Sequence, residues 1–436
     1  MGQFHFLTAG ESHGKGLIAI VDGMVAGLPL EVGYINKELK RRQQGYGRSS
    51  RMEIEEDKVE IISGVRYGFT MGSPIALFIP NRDWQNWQEQ LSAIQVEKEA
   101  EPITRPRPGH ADLAGVTKYG LKDIRPIIER ASARETAARV AAGAIAKRFL
   151  EEFGIAIHSH TVAIGSIKIS FCHSDPERSE GEESRSAEAC PRQYSKTIDW
   201  QQVENSPVRC ADTKVEKKMI AAIDKAKVEG DTLGGIFEVI ASGVPIGLGS
   251  YVSWDRRLDG RVAQAIMSIN AVKGVEIGSG FALAKFKGSQ AHDVIEPSSS
   301  PGIAKHFSSS LRGASATKNV IASEAKQPPF PWRHVTNRAG GIEGGISNGE
   351  DILVRAAVKP IATLAKPLPS IDLRSGEVAK AHYERSDICV VPAAGVIAEA
   401  MLAIVLADAC LEKFGGDNLK ETLANYHNYL SNISPS

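Results

Sequence analysis

Residues 11–14 read Glu-Ser-His-Gly, within the stretch "LTAGESHGKGLIAIVDGMVAGLPL". An acid, a hydroxyl and an imidazole stand side by side between glycines, just ahead of an apolar run. Imidazole titrates nearest neutrality among side chains, so His13 is suited to passing a proton to a leaving group. A histidine in a glycine-rich turn can equally be a loop residue satisfied by its neighbours. The tetrapeptide alone does not separate the two.

Other stretches carry chemistry of a compatible kind. In "RRQQGYGRSSRMEIEEDKVEIISG", Arg41, Arg42, Arg48 and Arg51 surround Gly45-Tyr46-Gly47. The planar guanidinium grips phosphate or carboxylate with two prongs. Tyr46 among the arginines admits an RNA-binding reading, but Glu53, Glu55, Glu56 and Asp57 follow at once and would repel a nucleic-acid backbone. A compact anionic ligand fits better, with a solvated charged loop as the alternative. "RPRPGHADLAG" sets Arg105, Arg107, His110 and Asp112 among prolines that stiffen the backbone, a rigid platform for an anion or cofactor. His13 and His110 lack the H-x-x-x-H or H-E-x-x-H spacing of metal ligands, so no metal site is expected.

"ERASARETAARVAAGAIAKRF" contains Ser132-x-x-Glu135, a capping box. A helix starting there would offer free N–H groups beside Arg130 and Arg134, a seat for phosphate, or simply an ordinary cap. "GGIEGGISNGEDI" lets backbone approach a flat ligand. In "ERSDICVVPAAGVIAEAM", Arg385, Ser386 and Asp387 precede Pro392, a first-turn proline. An arginine beside a carboxylate there is ordinarily a salt bridge.

The elements that must position these groups are mixed. "GLIAIVDG", "KVEIISGV" and "PIALFIP" read as short strands bounded by Gly, Pro or Asp. Helical patterns run over 126–152, 213–228, 257–271 and 392–414. Strands and helices do not alternate regularly, which predicts an α+β fold rather than a doubly wound sheet. No G-x-G-x-x-G follows a strand, so a dinucleotide-binding Rossmann unit is not expected. Segments 173–192 and 296–332, rich in Ser and in charge or Pro, bury too little apolar surface to offset their ordering entropy. Both are expected to be flexible surface insertions without chemistry.

A formal net charge of +0 gives no field to recruit nucleic acid or an anionic membrane, so any polyanion must be met by a local cluster. Five scattered cysteines without C-x-x-C spacing argue against disulfides and suit a reducing compartment. The N-terminus does not read as a secretory signal. The apolar run "VVPAAGVIAEAMLAIVLADAC" carries Glu399 and Asp408, costly in a bilayer centre, and reads as a buried helix. A cytoplasmic protein is expected.

Taken together, "GESHGKGLIAIVDGMVAGLP", "ERASARETAARVAAGAIA" and "RSDICVVPAAGVIAEAM" closely resemble the three signature regions of the chorismate synthases. "RPRPGHADL", "GDTLGG", "SINAVKGVEIG" and "NRAGGIEGGISNGEDI" match in the same order, spanning nearly the whole chain apart from the two insertions. The resemblance implies a single domain over 1–436 with a β-α-β sandwich core, assembled as a homotetramer. It implies the last shikimate-pathway step: 5-enolpyruvylshikimate 3-phosphate loses phosphate and a ring proton to give chorismate. Reduced FMN is required without net redox change, with NADPH as a candidate reductant.

The same resemblance assigns residues. His13 protonates the departing phosphate, His110 stands at the N1/O2 edge of the flavin, and Asp387 helps N5 accept the ring proton. FMN contacts fall on Arg130, Ala131 and Ser132, on Asn270 and Ala271, on Gly344, on Lys359, Pro360, Ile361, Ala362 and Thr363, and on Arg385. Arg42 and Arg48 match positions for NADP or substrate. The residues themselves suggest Ser12, Arg107 and Arg134 for the substrate's anionic groups. The insertions lengthen regions that are shorter in the family, and deleting 173–192 is expected to leave turnover largely intact. Two rivals make different predictions. A flavin- or nicotinamide-dependent oxidoreductase would consume reductant in step with product, and an RNA-binding protein would retain RNA in a salt-sensitive way.

Overall fold

The computed structural model describes residues 3–49, 56–97, 99–169, 193–298 and 331–433. In strand Gly16–Asp22, Leu17, Ala19 and Val21 are buried while Ile18 and Ile20 face outward, the period-two pattern of a half-buried strand. It pairs antiparallel with His5–Ala9 on one side and Ile75–Pro80 on the other, and Glu60–Ile61 closes a four-stranded sheet. The strand expected across 58–65 is cut short because Gly64 turns the chain at φ +85°.

A second, five-stranded antiparallel sheet runs Val272–Ile277, Ile352–Val358, Gly235–Ser242, Ala156–Ile164, Ile167–Lys168 in spatial order. Two helices fill the space between the sheets. Thr136–Glu151 packs against the first sheet, Val391–Phe414 against the second, and the two lie against each other with helix Val32–Gln43 alongside. Their approach is close: a Cβ on Gly143 would lie 2.4 Å from Cβ of Ala400. One contiguous apolar core joins both sheets through these helices. The result is the expected α+β architecture, sheet–helices–sheet.

Val391–Phe414 is long and apolar enough to cross a membrane, yet all of it but Glu412 and Lys413 is buried in this core. Its Glu399 is fully enclosed and meets Arg41 at 2.7 Å, Lys147 at 2.8 Å and Ser159 Oγ at 2.7 Å. That explains a charge in so apolar a run: a buried charge persists only when paired. Cys210, Cys389 and Cys410 are free and buried, and burial pushes the Cys389 thiol up to about 11.

The sequence pattern differs from the structure in two instructive places. The helix expected over 126–152 is two helices, Arg125–Ala131 and Thr136–Glu151, joined through an extended Ser132 (φ −63°, ψ 142°) and a tight turn, Ala133–Glu135. Ser132 Oγ does accept from the N–H of Arg134 at 3.3 Å, but Glu135 binds Thr8 Oγ1 and Arg139 rather than closing the capping box. Insertion 173–192 lies outside the described residues. Of 296–332, the flanks are ordered strand: Ile295–Pro297 pairs antiparallel with Trp332–His334, which corrects the boundaries of that insertion.

Candidate active site

The broken helix creates the site. The Glu11–Gly14 turn lies against its first half, and Ser12 N–H donates to the carbonyl of Glu129 at 3.2 Å. Asn81 ties the turn from the other side, its Nδ2 donating to the carbonyls of Glu11 (3.1 Å) and Gly14 (2.7 Å). Ser12 Oγ stands 3.1 Å from Ser132 Oγ, so two hydroxyls separated by 120 positions in sequence form a pair.

His13 is the centre of this corner. Its Nδ1 lies 2.9 Å from Oε1 of Glu129, and its backbone N–H donates to Oε2 at 2.8 Å. The Glu129 side chain has no exposure, whereas His13 keeps 13%. The imidazole stacks on Trp87 with centroids 4.1 Å apart. Arg125 lies over the same indole at 5.1 Å and pairs with Glu129 (3.3 Å) and Glu384 (2.6 Å). Burial raises Glu384, but the His382 hydrogen bond and Arg125 outweigh it and hold the carboxyl at about 2.

A second corner forms around His110, whose Nδ1 lies 2.5 Å from Oδ1 of Asp112, at the start of helix Asp112–Tyr119. Arg107 donates from Nε to Oδ2 of Asp112 at 2.8 Å and from Nη1 to Thr363 Oγ1 at 3.0 Å. Asp112 is buried, which opposes its charge, yet the His110 and Arg107 hydrogen bonds prevail and lower its pKa. A cavity of about 570 Å³ opens here, lined by Arg107, Gly109, His110, Leu113, Ala114 and Lys118 among others. The 359–363 segment runs along the same loop. Lys359 Nζ donates to the Gly109 carbonyl at 2.8 Å, and a Cβ on Gly109 would lie 3.7 Å from Ala362. Ile361 offers its carbonyl to Thr232 Oγ1 at 2.8 Å, and Pro360 is exposed beside it. Burial, with Lys273 nearby, lowers the Lys359 pKa.

Ser386 links this corner to a third, donating from Oγ to the Thr363 carbonyl at 2.8 Å. Next to it, Asp387 accepts from Ser49 N–H at 2.6 Å and pairs with Arg48 at 3.4 Å. Arg385 is exposed, with no hydrogen bond or ion pair to the described residues. Asn270 Nδ2 donates to the Ala131 carbonyl at 3.1 Å. Ala271 follows at φ +67°, a left-handed conformation that costs a non-glycine residue energy and recurs at functional sites.

The structure brings together His13, Ser12, Ser132, Ala131, Asn270 and Ala271 in one group, and His110, Arg107, Lys359, Ala362 and Thr363 in another, with Ser386 and Asp387 adjoining the second. Four expected ligand contacts look different. Arg42 and Arg134 are 2% and 5% exposed and converge on Asp57, which each grips through its guanidinium. The acidic run, read as repelling a nucleic-acid backbone, supplies their counter-ion, and the two arginines outweigh the burial that would raise Asp57. Arg130 spends its guanidinium on the carbonyls of Thr8 (2.9 Å) and Gly10 (3.1 Å). Gly344 sits in the hairpin Ile342–Glu343/Ile346–Ser347, beside the start of helix Leu258–Met267. Asn270 lies beyond that helix's other end, about 15 Å away along a ten-residue helix.

Glu129, Trp87, Arg125, Asn81 and Glu384 were not signalled by the sequence. Glu129 stands inside a quoted motif, but no spacing rule connects it to a histidine 116 positions earlier. Among the described residues no three His, Cys, Asp or Glu side chains converge as metal ligands.

Comparison with known proteins identifies the family. The chorismate synthase family model matches residues 4–411. The chorismate synthase of Moorella thermoacetica is 50% identical over 437 residues, covering 99% of this chain and 100% of that protein. That of Aquifex aeolicus is 50% identical over 431 residues, covering 98% of each. A crystal structure of chorismate synthase superposes with a TM-score of 0.71 at 41% identity, covering 99% of this chain and 98% of the other. By family match, identity along the whole length and fold, this chain belongs to the chorismate synthase family.

Proposed function

We propose that the His13 and His110 corners carry out the family's reaction here, the 1,4-elimination of phosphate and a ring proton from 5-enolpyruvylshikimate 3-phosphate, with reduced FMN as cofactor. The observation that carries this reading is a repeated device: two histidines, each tied through Nδ1 to a fully buried carboxylate, Glu129 or Asp112. A histidine held this way keeps its other nitrogen for a proton at a fixed place. The chain is a carbon–oxygen lyase of the shikimate pathway.

The residues fit the flavin. The cavity beside His110 is within the ordinary range for small-molecule sites. Gly109 lets backbone come close, Leu113 and Ala114 supply apolar wall, and Lys359 supplies a cation for a phosphate, with Arg385 a second by the family resemblance. Reduced FMN, when bound, supplies transient electron donation that loosens a C–O bond no side chain here could break unaided. His110, with Nδ1 on Asp112 and Arg107 Nη2 at 3.5 Å from its Nε2, lines that cavity. His13 presents Nε2 to the leaving phosphate and gives it a proton, while the Ser12–Ser132 pair lies beside that proton. Asp387 holds a carboxylate next to Arg48 and would assist the flavin in taking up the ring proton at that corner. Arg48 serves NADPH or substrate, whereas Arg42, enclosed on Asp57, acts by holding Arg134 and the Asn81 tie.

A cytoplasmic homotetramer completes the reading. Leu7, Ile18 and Ile20 stand exposed together on the outer face of the first sheet, an apolar surface suited to a second copy. The test of the active site is His13→Ala, expected to slow turnover by about 10²–10⁴-fold while flavin affinity stays within about threefold. Parental turnover in that variant removes His13 from the chemistry.

A further inference from the structure

We propose that Glu129 is the positioning residue of His13: it fixes the ring so that the proton to be transferred sits on Nε2. This rests on the reading of His13 as proton donor. A carboxylate only accepts hydrogen bonds, so Oε1 at 2.9 Å from Nδ1 requires the hydrogen there and leaves the exchangeable proton to Nε2. The second oxygen, 2.8 Å from the backbone N–H of His13, fixes the main chain from which the ring projects. Ring and backbone are therefore held by one group with no solvent exposure.

Two further contacts restrict the ring. Trp87 lies flat against its face at 4.1 Å and 23°, which opposes rotation about the side-chain bonds. Trp87 is itself fixed, its Nε1–H donating to Asp83 Oδ2 at 3.0 Å and Arg125 covering it at 5.1 Å. Arg125 returns to Glu129 at 3.3 Å, so three side chains, Glu129, Trp87 and Arg125, close a ring with the imidazole. If Glu129 served only to tie down the Glu11–Gly14 turn, its bond to the His13 backbone would suffice, and the bond to Nδ1 would do nothing for turnover.

A double-mutant cycle separates these roles, because a residue acting through His13 has nothing to act on once the imidazole is gone. Gln at 129 removes the charge and leaves one accepting oxygen for both N–H groups of His13, in the place where Oε2 stands 2.8 Å from the backbone N and 3.1 Å from Nδ1, so the hold on the ring is weakened. Glu129→Gln is expected to lower kcat by about tenfold or more, within the ~10²–10⁴ that the acid itself supplies, with KM changed less than about threefold. In a His13→Ala background the same substitution is expected to change kcat by less than about threefold. An equal loss in both backgrounds overturns the proposal, as does parental kcat for Glu129→Gln beside a slow His13→Ala. Should Glu129→Gln lack a cooperative thermal transition, Glu129→Asp takes its place in the same cycle under the same criteria. Parental speed in His13→Ala alone would overturn the reading of His13 itself, a result distinct from the failure of Glu129 as its positioner.

Discussion

Nδ1 of His110 stands 2.5 Å from Oδ1 of Asp112, and the other oxygen of that buried carboxylate holds Arg107 at 2.8 Å. One anion thus orients an imidazole and neutralises a guanidinium that is only 6% exposed. Asp112→Asn keeps the shape and removes the charge. Breaking a buried ion pair on one side costs about 3–5 kcal/mol, so the urea midpoint should fall accordingly with an unchanged slope. Turnover should fall by about tenfold or more, since His110 loses its orientation at the cavity. Unchanged stability and rate would show that Asp112 does neither job.

The buried network around Glu399 should behave differently. Glu38, Glu204 and Glu399 face Arg41, Lys147 and Arg209, and Glu399 is held well charged by Arg41 and Lys147 against a large burial penalty. Glu399→Gln leaves excess positive charge between the central helices. A loss of about 3–5 kcal/mol in chemical unfolding is expected, with kcat of the folded fraction unchanged.

Gly143 tests the packing of those helices. A methyl group there would meet Cβ of Ala400 at 2.4 Å and its Cα at 2.6 Å, backbone that cannot rotate away. Gly143→Ala ordinarily favours a helix by about 1 kcal/mol. Here the overpacking should win, with a net loss of about 1–3 kcal/mol read from thermal or urea unfolding.

Glu384 gives a pH dependence whose sign follows from its environment. Its folded pKa is lowered from 4.5 to about 2, with burial outweighed by His382 and Arg125. A lowered folded pKa contributes stability that is present above the unfolded value and is lost as pH falls through the folded one. Thermal midpoints of the parent should therefore drop between pH 4.5 and about 2 more steeply than those of Glu384→Gln. Parallel curves for the two proteins would mean that Glu384 is not coupled to folding.

Short apolar runs bounded by Gly, Pro or Asp, "GLIAIVDG" and "PIALFIP", were enough to find the first sheet's inner strands, and the apolar run carrying Glu399 and Asp408 was enough to recognise a core helix. The sheet–helices–sheet arrangement came from family resemblance, because local pattern says nothing about which layer a helix joins. The break at Ser132 escaped the sequence: Ser-x-x-Glu looks like a cap, yet Glu135 has a better partner in Thr8, brought by a strand over a hundred residues earlier. For the same reason the histidines were legible and their carboxylates were not equally so. Asp112 stands two residues from His110, whereas Glu129 reaches His13 only through tertiary contact. Asp57 was legible as an acid but its pairing with Arg42 and Arg134 was not, since burial beside two arginines is a property of the fold.

The central claim is that elimination here depends on a reduced flavin held by these corners and returned unchanged. The most direct measurement is anaerobic turnover of 5-enolpyruvylshikimate 3-phosphate with chemically reduced FMN, following chorismate, phosphate and flavin oxidation together. The account predicts chorismate and phosphate in equal amounts over many turnovers with no matching oxidation of flavin. Full-speed product formation with flavin absent or held oxidised, or one flavin oxidised per product, would contradict it.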